Sequence, residues 1–224
     1  MKKIYFIFKR EFLDYFYNSL GYIIIVIFLL LNGILFWSII NILNNPEITY
    51  GAVLKLFFGN NIYFWFFVLI FIPIITMKLF SNEIQSGTVE MLMTSPVKEY
   101  ELILGKFFAA FFFYVFMWIP TIIYPIIIYY HKKIDLGPIF TGYLGVILIG
   151  TLFISIGLFC SSISKTQISS AILTFFILVM FLLISLTKNF ANGIIPIQKI
   201  IFLFSTIITI LFLNIEFLKL RKWV

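Results

Sequence analysis

The sequence predicts an all-α integral membrane protein: a bundle of six transmembrane helices, preceded by an N-terminal interfacial helix and interrupted by a short amphipathic helix in a cytoplasmic loop. Three observations lead there. Apolar residues make up 62% of the 224 positions and charged residues only 11%, with mean hydropathy +1.12, more apolar surface than a water-soluble fold of this size can hide. Six apolar runs approach the roughly 20 residues needed to cross hydrocarbon, at about 20–42, 61–79, 107–130, 138–160, 168–187 and 197–215. Stretches such as Ile23–Leu31 and Phe107–Tyr114 do not alternate, so a barrel is excluded. Helices remain, because they pair every backbone N–H and C=O within the segment.

Ahead of the first run, residues 1–18 carry a helical pattern. Ile4, Ile7, Phe8, Phe12, Tyr15 and Phe16 recur at helical spacing while Lys9, Arg10, Glu11 and Asp14 supply charge. That pattern suits a helix lying in the cytoplasmic interface, and also suits a charged start to the first span. The first run is too long for a signal-peptide core and has no small-residue cleavage site, so it is expected to stay as an anchor.

After the second run comes Ser81–Pro96, SNEIQSGTVEMLMTSP. Ser86, Gly87 and Thr88 are suited to starting a short helix in which Val89, Leu92 and Met93 share one apolar edge. About seven residues rise only about 10 Å, too little to span. The edge must therefore rest on lipid or enter a partner's groove, unless the segment is an ordinary solvated loop. Ser95 and Pro96 read as the cap and first turn of the next helix, which runs through Lys98–Lys106 into the third span. Glu83, Glu90, Glu99 and Glu101 gather here with Lys98 and Lys106. Between the fourth and fifth runs, Ser161–Gln167 is a polar turn too short for anything but an antiparallel hairpin. The pairs Thr141/Gly145, Gly157/Ser161 and Ser170/Thr174 permit close helix approach within the bundle.

Lysine and arginine set the orientation. With the N-terminus cytoplasmic, eleven cations fall inside and five (Lys55, Lys132, Lys133, Lys188, Lys199) outside, which favours both termini in the cytoplasm. The net charge of +7 is then accounted for by anionic lipid head groups and requires no nucleic acid. The single cysteine, Cys160, precludes an intrachain disulfide and reads as apolar filler. His131 stands alone beside Lys132, so neither a metal site nor a catalytic constellation is expected. No ionisable residue falls near the middle of a predicted span, where an ion-coupled carrier would hold one.

The stretch PIITMKLFSNEIQSGTVEMLMTSPVKEYELILGKFFAA, Pro73 to Ala110, resembles the signature of type-2 ABC exporter permeases, particularly the small six-span subunits related to those named for gliding motility. The matching residues are Glu83, Gly87, Thr88, Glu90, Leu92, Ser95, Pro96, Gly105 and Lys106. GLFCSSISKTQISSAILTFF, Gly157 to Phe176, is similar to that family's turn between spans four and five. The chain departs from the pattern after the fifth run, where 188–199 is shorter than the family's external re-entrant segment. The resemblance implies a single permease domain over 1–224 in the cell membrane, half of a dimeric pathway seated on a cytoplasmic ABC ATPase. Residues 81–96 would be its coupling helix, with Glu83, Gly87, Thr88, Val89, Glu90, Leu92, Met93, Ser95 and Pro96 as the coupling residues. ATP would bind the partner: Gly105-Lys106 is followed by Phe107 and lacks the upstream glycine of a phosphate loop, and no cofactor is expected here. A membrane subunit that only recruits a soluble partner, and a secondary transporter without a motor, remain as alternatives.

Overall fold

The computed structural model describes residues 2–43, 62–88, 97–131, 136–182 and 197–222, and among these there is no strand. The helices are α1 (Lys2–Tyr17), α2 (Ser19–Leu43), α3 (Ile62–Thr76), α4 (Ser81–Gln85), α5 (Glu99–Trp118), α6 (Ile123–His131), α7 (Leu136–Ile163), α8 (Gln167–Leu182) and α9 (Ile197–Lys222), with a 3₁₀ turn at Ile119–Ile122 joining α5 to α6. Among the described residues four stretches are long and apolar enough to cross a membrane: Ser19–Ser38, Glu99–Tyr129, Gly137–Ile163 and Ile197–Leu220. The second and fifth runs appear as shorter apolar helices, Phe66–Thr76 and Gln167–Phe181.

The third span begins earlier than the apolar run that marks it. Its helix starts at Glu99, eight residues before Phe107, because Glu101 Oε2 accepts the N–H of Lys98 at 3.1 Å and closes the first turn. The cap is therefore Lys98 and not the Ser95–Pro96 pair. Farther along, Pro120 lacks the N–H an α-helix would use, and the backbone tightens to 3₁₀ there, with Thr121 Oγ1 donating to Trp118 O at 2.7 Å.

α7 is the axis of the bundle. Helices α3, α5, α8 and α9 all pack on it. Of its apolar window 72% is buried, against 28% for α2 and 17% for α9. Those two helices present apolar side chains such as Val26, Leu30, Ile201, Ile208 and Phe212 outward, as lipid-facing helices do. The core gathers Phe28, Ile72, Ile103, Phe113, Met117 and Phe153 from α2, α3, α5 and α7.

Two close approaches decide how the functional end is put together. A Cβ on Gly157 would collide with Thr76 Oγ1, so α3 and α7 meet only because that position has no side chain. A Cβ on Gly105 would lie 2.6 Å from Ile7 Cγ2, and through that gap α1 lies along α5. The apolar edge of α1 is fixed there by aromatic contacts. Tyr15 stacks on Phe113 at 4.4 Å, while Phe16 meets Phe113 and Phe116 edge-on. Thus α1 is the amphipathic helix its spacing predicts, but its apolar edge rests on protein.

Candidate functional site

The end of α3 is where the chain turns out of its second apolar run, and its last carbonyls have no partner within their own helix. Leu79 N–H bonds to Thr76 O at 3.2 Å, one residue short of the α-helical pattern, which leaves the carbonyl of Ile75 free. Three other helices supply what is missing. Tyr15 of α1 donates its hydroxyl to Ile75 O at 2.8 Å. Lys106 of α5 donates to Leu79 O. Ser161 of α7 donates to Met77 O at 3.3 Å and accepts the backbone N–H groups of Phe80 and Ser81 at 3.0 and 3.1 Å, which caps the start of α4. Gln167 at the head of α8 adds a hydrogen bond to Asn82 Oδ1 at 2.9 Å.

A buried ion cluster completes the elbow. Lys106, only 1% exposed, places Nζ 2.8 Å from Glu83 Oε1 of α4 and 3.2 Å from Glu11 Oε1 of α1. With Leu79 O, these three acceptors use all three ammonium protons. The aromatic face of Phe80 lies 5.0 Å from the same nitrogen. Arg10 closes the ring from α1, 2.6 Å from Glu11 and 3.3 Å from Glu83. Two cations meet two carboxylates, so the four charges sum to zero, with Lys106, Glu11 and Glu83 largely desolvated and Arg10 at the exposed edge.

The two acids titrate in opposite directions. Burial alone would raise Glu11, but Lys106 and Arg10 outweigh it and hold this carboxyl below the ordinary range. Glu83 is raised: burial dominates, Lys106 opposes it incompletely, and the neighbouring charge of Glu11 adds to the rise. Its Oε2 is buried and has no hydrogen-bond partner among the described residues.

Of the residues expected to form a coupling segment, Glu83, Gly87 and Thr88 are described, while Val89, Glu90, Leu92, Met93, Ser95 and Pro96 lie outside the described residues. Glu83 faces inward, into the ion cluster. Ser86, Gly87 and Thr88 end a helix: Gly87 has φ +71°, the left-handed conformation of a helix C-terminus, and Thr88 N–H returns to Glu83 O at 3.0 Å, while the helix expected to start here lies outside the described residues. Tyr15, Glu11, Arg10 and Ser161 are the participants that sequence reasoning did not assign here. A lysine at the mouth of an apolar run was the available signal, since such a group must find partners.

These features sit in a chain whose residues 5–218 match the family described as ABC-2 family transporter protein. The chain belongs to that family. An ABC-2 permease is the membrane component of an ABC transporter, which agrees with the four long apolar helices and makes this a multi-pass membrane protein. No curated protein matches the sequence. The ion cluster thus lies at the exit of the second apolar helix of an ABC-2 permease.

Proposed function

We propose that this ABC-2 permease forms one half of the pathway of an ATP-driven exporter, pairs with a second six-span half, and is driven by a separate cytoplasmic ATPase that docks on residues 81–96. In this reading the six spans leave both termini in the cytoplasm of a bacterial plasma membrane, and ATP binds only the partner. The carrying observation is the buried contact of Lys106 with Glu83 and Glu11. A push on the docking segment reaches α4, passes through Glu83 to Lys106, and moves α5 and α1 together. Small displacements at such a joint are not absorbed locally, because packed helices slide as units. Ser161 and Gln167 extend the same joint to α7 and α8.

Leu92 is the side chain to test. Its burial in a partner's groove would contribute roughly 1.5–3 kcal/mol, and Leu92→Asp replaces that with a charge that has to be desolvated. ATPase co-purification and ATP-dependent substrate movement, measured on one preparation with membrane insertion verified, should both fall. Parental binding and transport in a normally inserted Leu92→Asp variant would overturn the docking assignment. A subunit that only recruits a soluble partner would lose binding in this variant but never show ATP-dependent flux, and a secondary transporter would keep its flux when the ATPase is inactivated.

A further inference from the structure

A cavity of about 430 Å³ opens beside the ion cluster, between α1, the first turns of α2 and the end of α3. Its walls are of two kinds. Leu20 and Ile24 of α2, Ile74 of α3 and Met77 just past it are apolar, whereas Asp14 of α1, Lys78 of the turn after α3 and Glu83 of α4 are ionisable. The remaining charges there are already engaged, since Lys106 and Arg10 are bound to Glu11 and Glu83. The side chains of Asp14 and Lys78 make no hydrogen bond or ion pair among the described residues, and Glu83 Oε2 has no donor there. What the walls offer a ligand is therefore the Asp14 carboxylate, the Lys78 ammonium and an apolar flank, with the unpartnered Glu83 Oε2 just beneath them.

We propose that this cavity holds the headgroup of an amine-bearing zwitterionic phospholipid, with its ammonium on Asp14 and Glu83, its phosphate on Lys78 and its glycerol end along Ile24 and Ile74. Size agrees, since small-ligand sites run from about 300 to 1,000 Å³. Charge agrees as well: opposite charges on the walls match a zwitterion, where a purely anionic headgroup would face the two carboxylates. A primary ammonium carries N–H donors, which a buried carboxylate oxygen needs and a choline headgroup lacks. Glu83 Oε2 is buried beneath the wall, so the ammonium meets it only as the carboxyl turns about its soft terminal torsion. The position of the cavity selects a lipid over a free amine phosphate, because part of its wall, Leu20, Ile24 and Ile74, belongs to the start of α2 and the end of α3, both apolar helices.

The test uses the delipidated full chain in mild detergent, with phosphatidylethanolamine, phosphatidylcholine and phosphatidylglycerol titrated separately. Binding is read by native mass spectrometry and by the thermal unfolding midpoint. Phosphatidylethanolamine should bind one per chain and roughly tenfold more tightly than the other two, the size of one charge-assisted hydrogen bond. Asp14→Asn should remove that preference, whereas Lys78→Gln should weaken all three lipids alike, since each carries the phosphate. Ile74→Trp, which fills the cavity from its apolar wall, should prevent binding, while Ile208→Ala on the outer face of α9 should leave it unchanged. Equal binding of the three lipids, a preference that survives Asp14→Asn, or undiminished binding in Lys78→Gln would overturn the proposal even if Ile74→Trp does not fold. Competition by free phosphoethanolamine at the concentration of the lipid would overturn the assignment to a membrane source.

Discussion

Replacing Lys106 with methionine keeps the length and apolar stem of the side chain and deletes its charge. Two carboxylates, Glu11 and Glu83, each about 15% exposed, then lose a partner at 3.2 and 2.8 Å, and Leu79 O loses the ammonium that donates to it. Breaking a buried pair by removing one partner costs about 3–5 kcal/mol. Arg10 still reaches both acids, so the lower end applies, about 3 kcal/mol, or somewhat over a hundredfold in the folding equilibrium. Glu83→Leu in the same chain removes the orphaned acid, leaves Glu11 on Arg10, and should return most of the loss, giving a coupling energy of about 1.5–2 kcal/mol in a double-mutant cycle. Reversible unfolding in mild detergent measures each corner of the cycle. An independent readout is Ile7→Cys, which lies against Gly105 and should be slow to react with a maleimide in the parent and fast once α1 is released. If Lys106→Met unfolds within about 0.5 kcal/mol of the parent and the thiol introduced at position 7 stays protected, the cluster holds nothing together and the joint assigned to it does not exist.

Two further outcomes are expected. Because Glu83 is raised, the folded state holds its proton more tightly than the unfolded chain. Stability should fall as pH climbs from the ordinary carboxyl value of 4.5 through the folded value above it; Glu83→Gln should flatten that fall, while the acid-side loss owed to the lowered Glu11 persists below 4.5, as thermal unfolding across pH would show. Gly157→Val puts a branched side chain where Thr76 Oγ1 already occupies the space of an added Cβ, so α3 and α7 must separate at a cost of roughly 1–3 kcal/mol, read by the same unfolding assay, with Thr76→Ala in the same chain recovering part of it.

Helices and their apolar faces were legible because they are local: spacing alone gave the amphipathic α1, and uninterrupted runs gave α2, α7 and α9. The small-residue pairs also carried information, since Gly157 and Ser161 both contact the end of α3, although Ser161 acts as a cap and not only as a spacer. The ion cluster was not legible. Glu11 and Lys106 are 95 residues apart, Glu83 and Lys106 23, and nothing in the neighbourhood of any one of them announces the others. Lys106 read as a cation on the membrane edge and Glu83 as an acid facing a partner, because exposure is the ordinary condition of both residue types. Gly87 was recognised as a helix boundary, and the helix before it is the one the structure shows it closing, while the helix expected after it lies outside the described residues. Glycine serves at either end, and only the hydrogen bonds returning to Glu83 and Ile84 decide which helix it closes.

The backbone groups at the end of α3 also impose an order on how the chain matures. Synthesis delivers Tyr15 before Ile75 exists, so that first tie forms as soon as the second apolar helix is made. Lys106 follows Glu83 by 23 residues, and Ser161 comes only after most of α7 has emerged. Until then the N–H groups of Phe80 and Ser81 lack the partner that the finished chain gives them. Water near the membrane surface has to serve them. A nascent chain halted between α5 and α7 therefore exposes an unfinished turn at the exit of its second apolar helix.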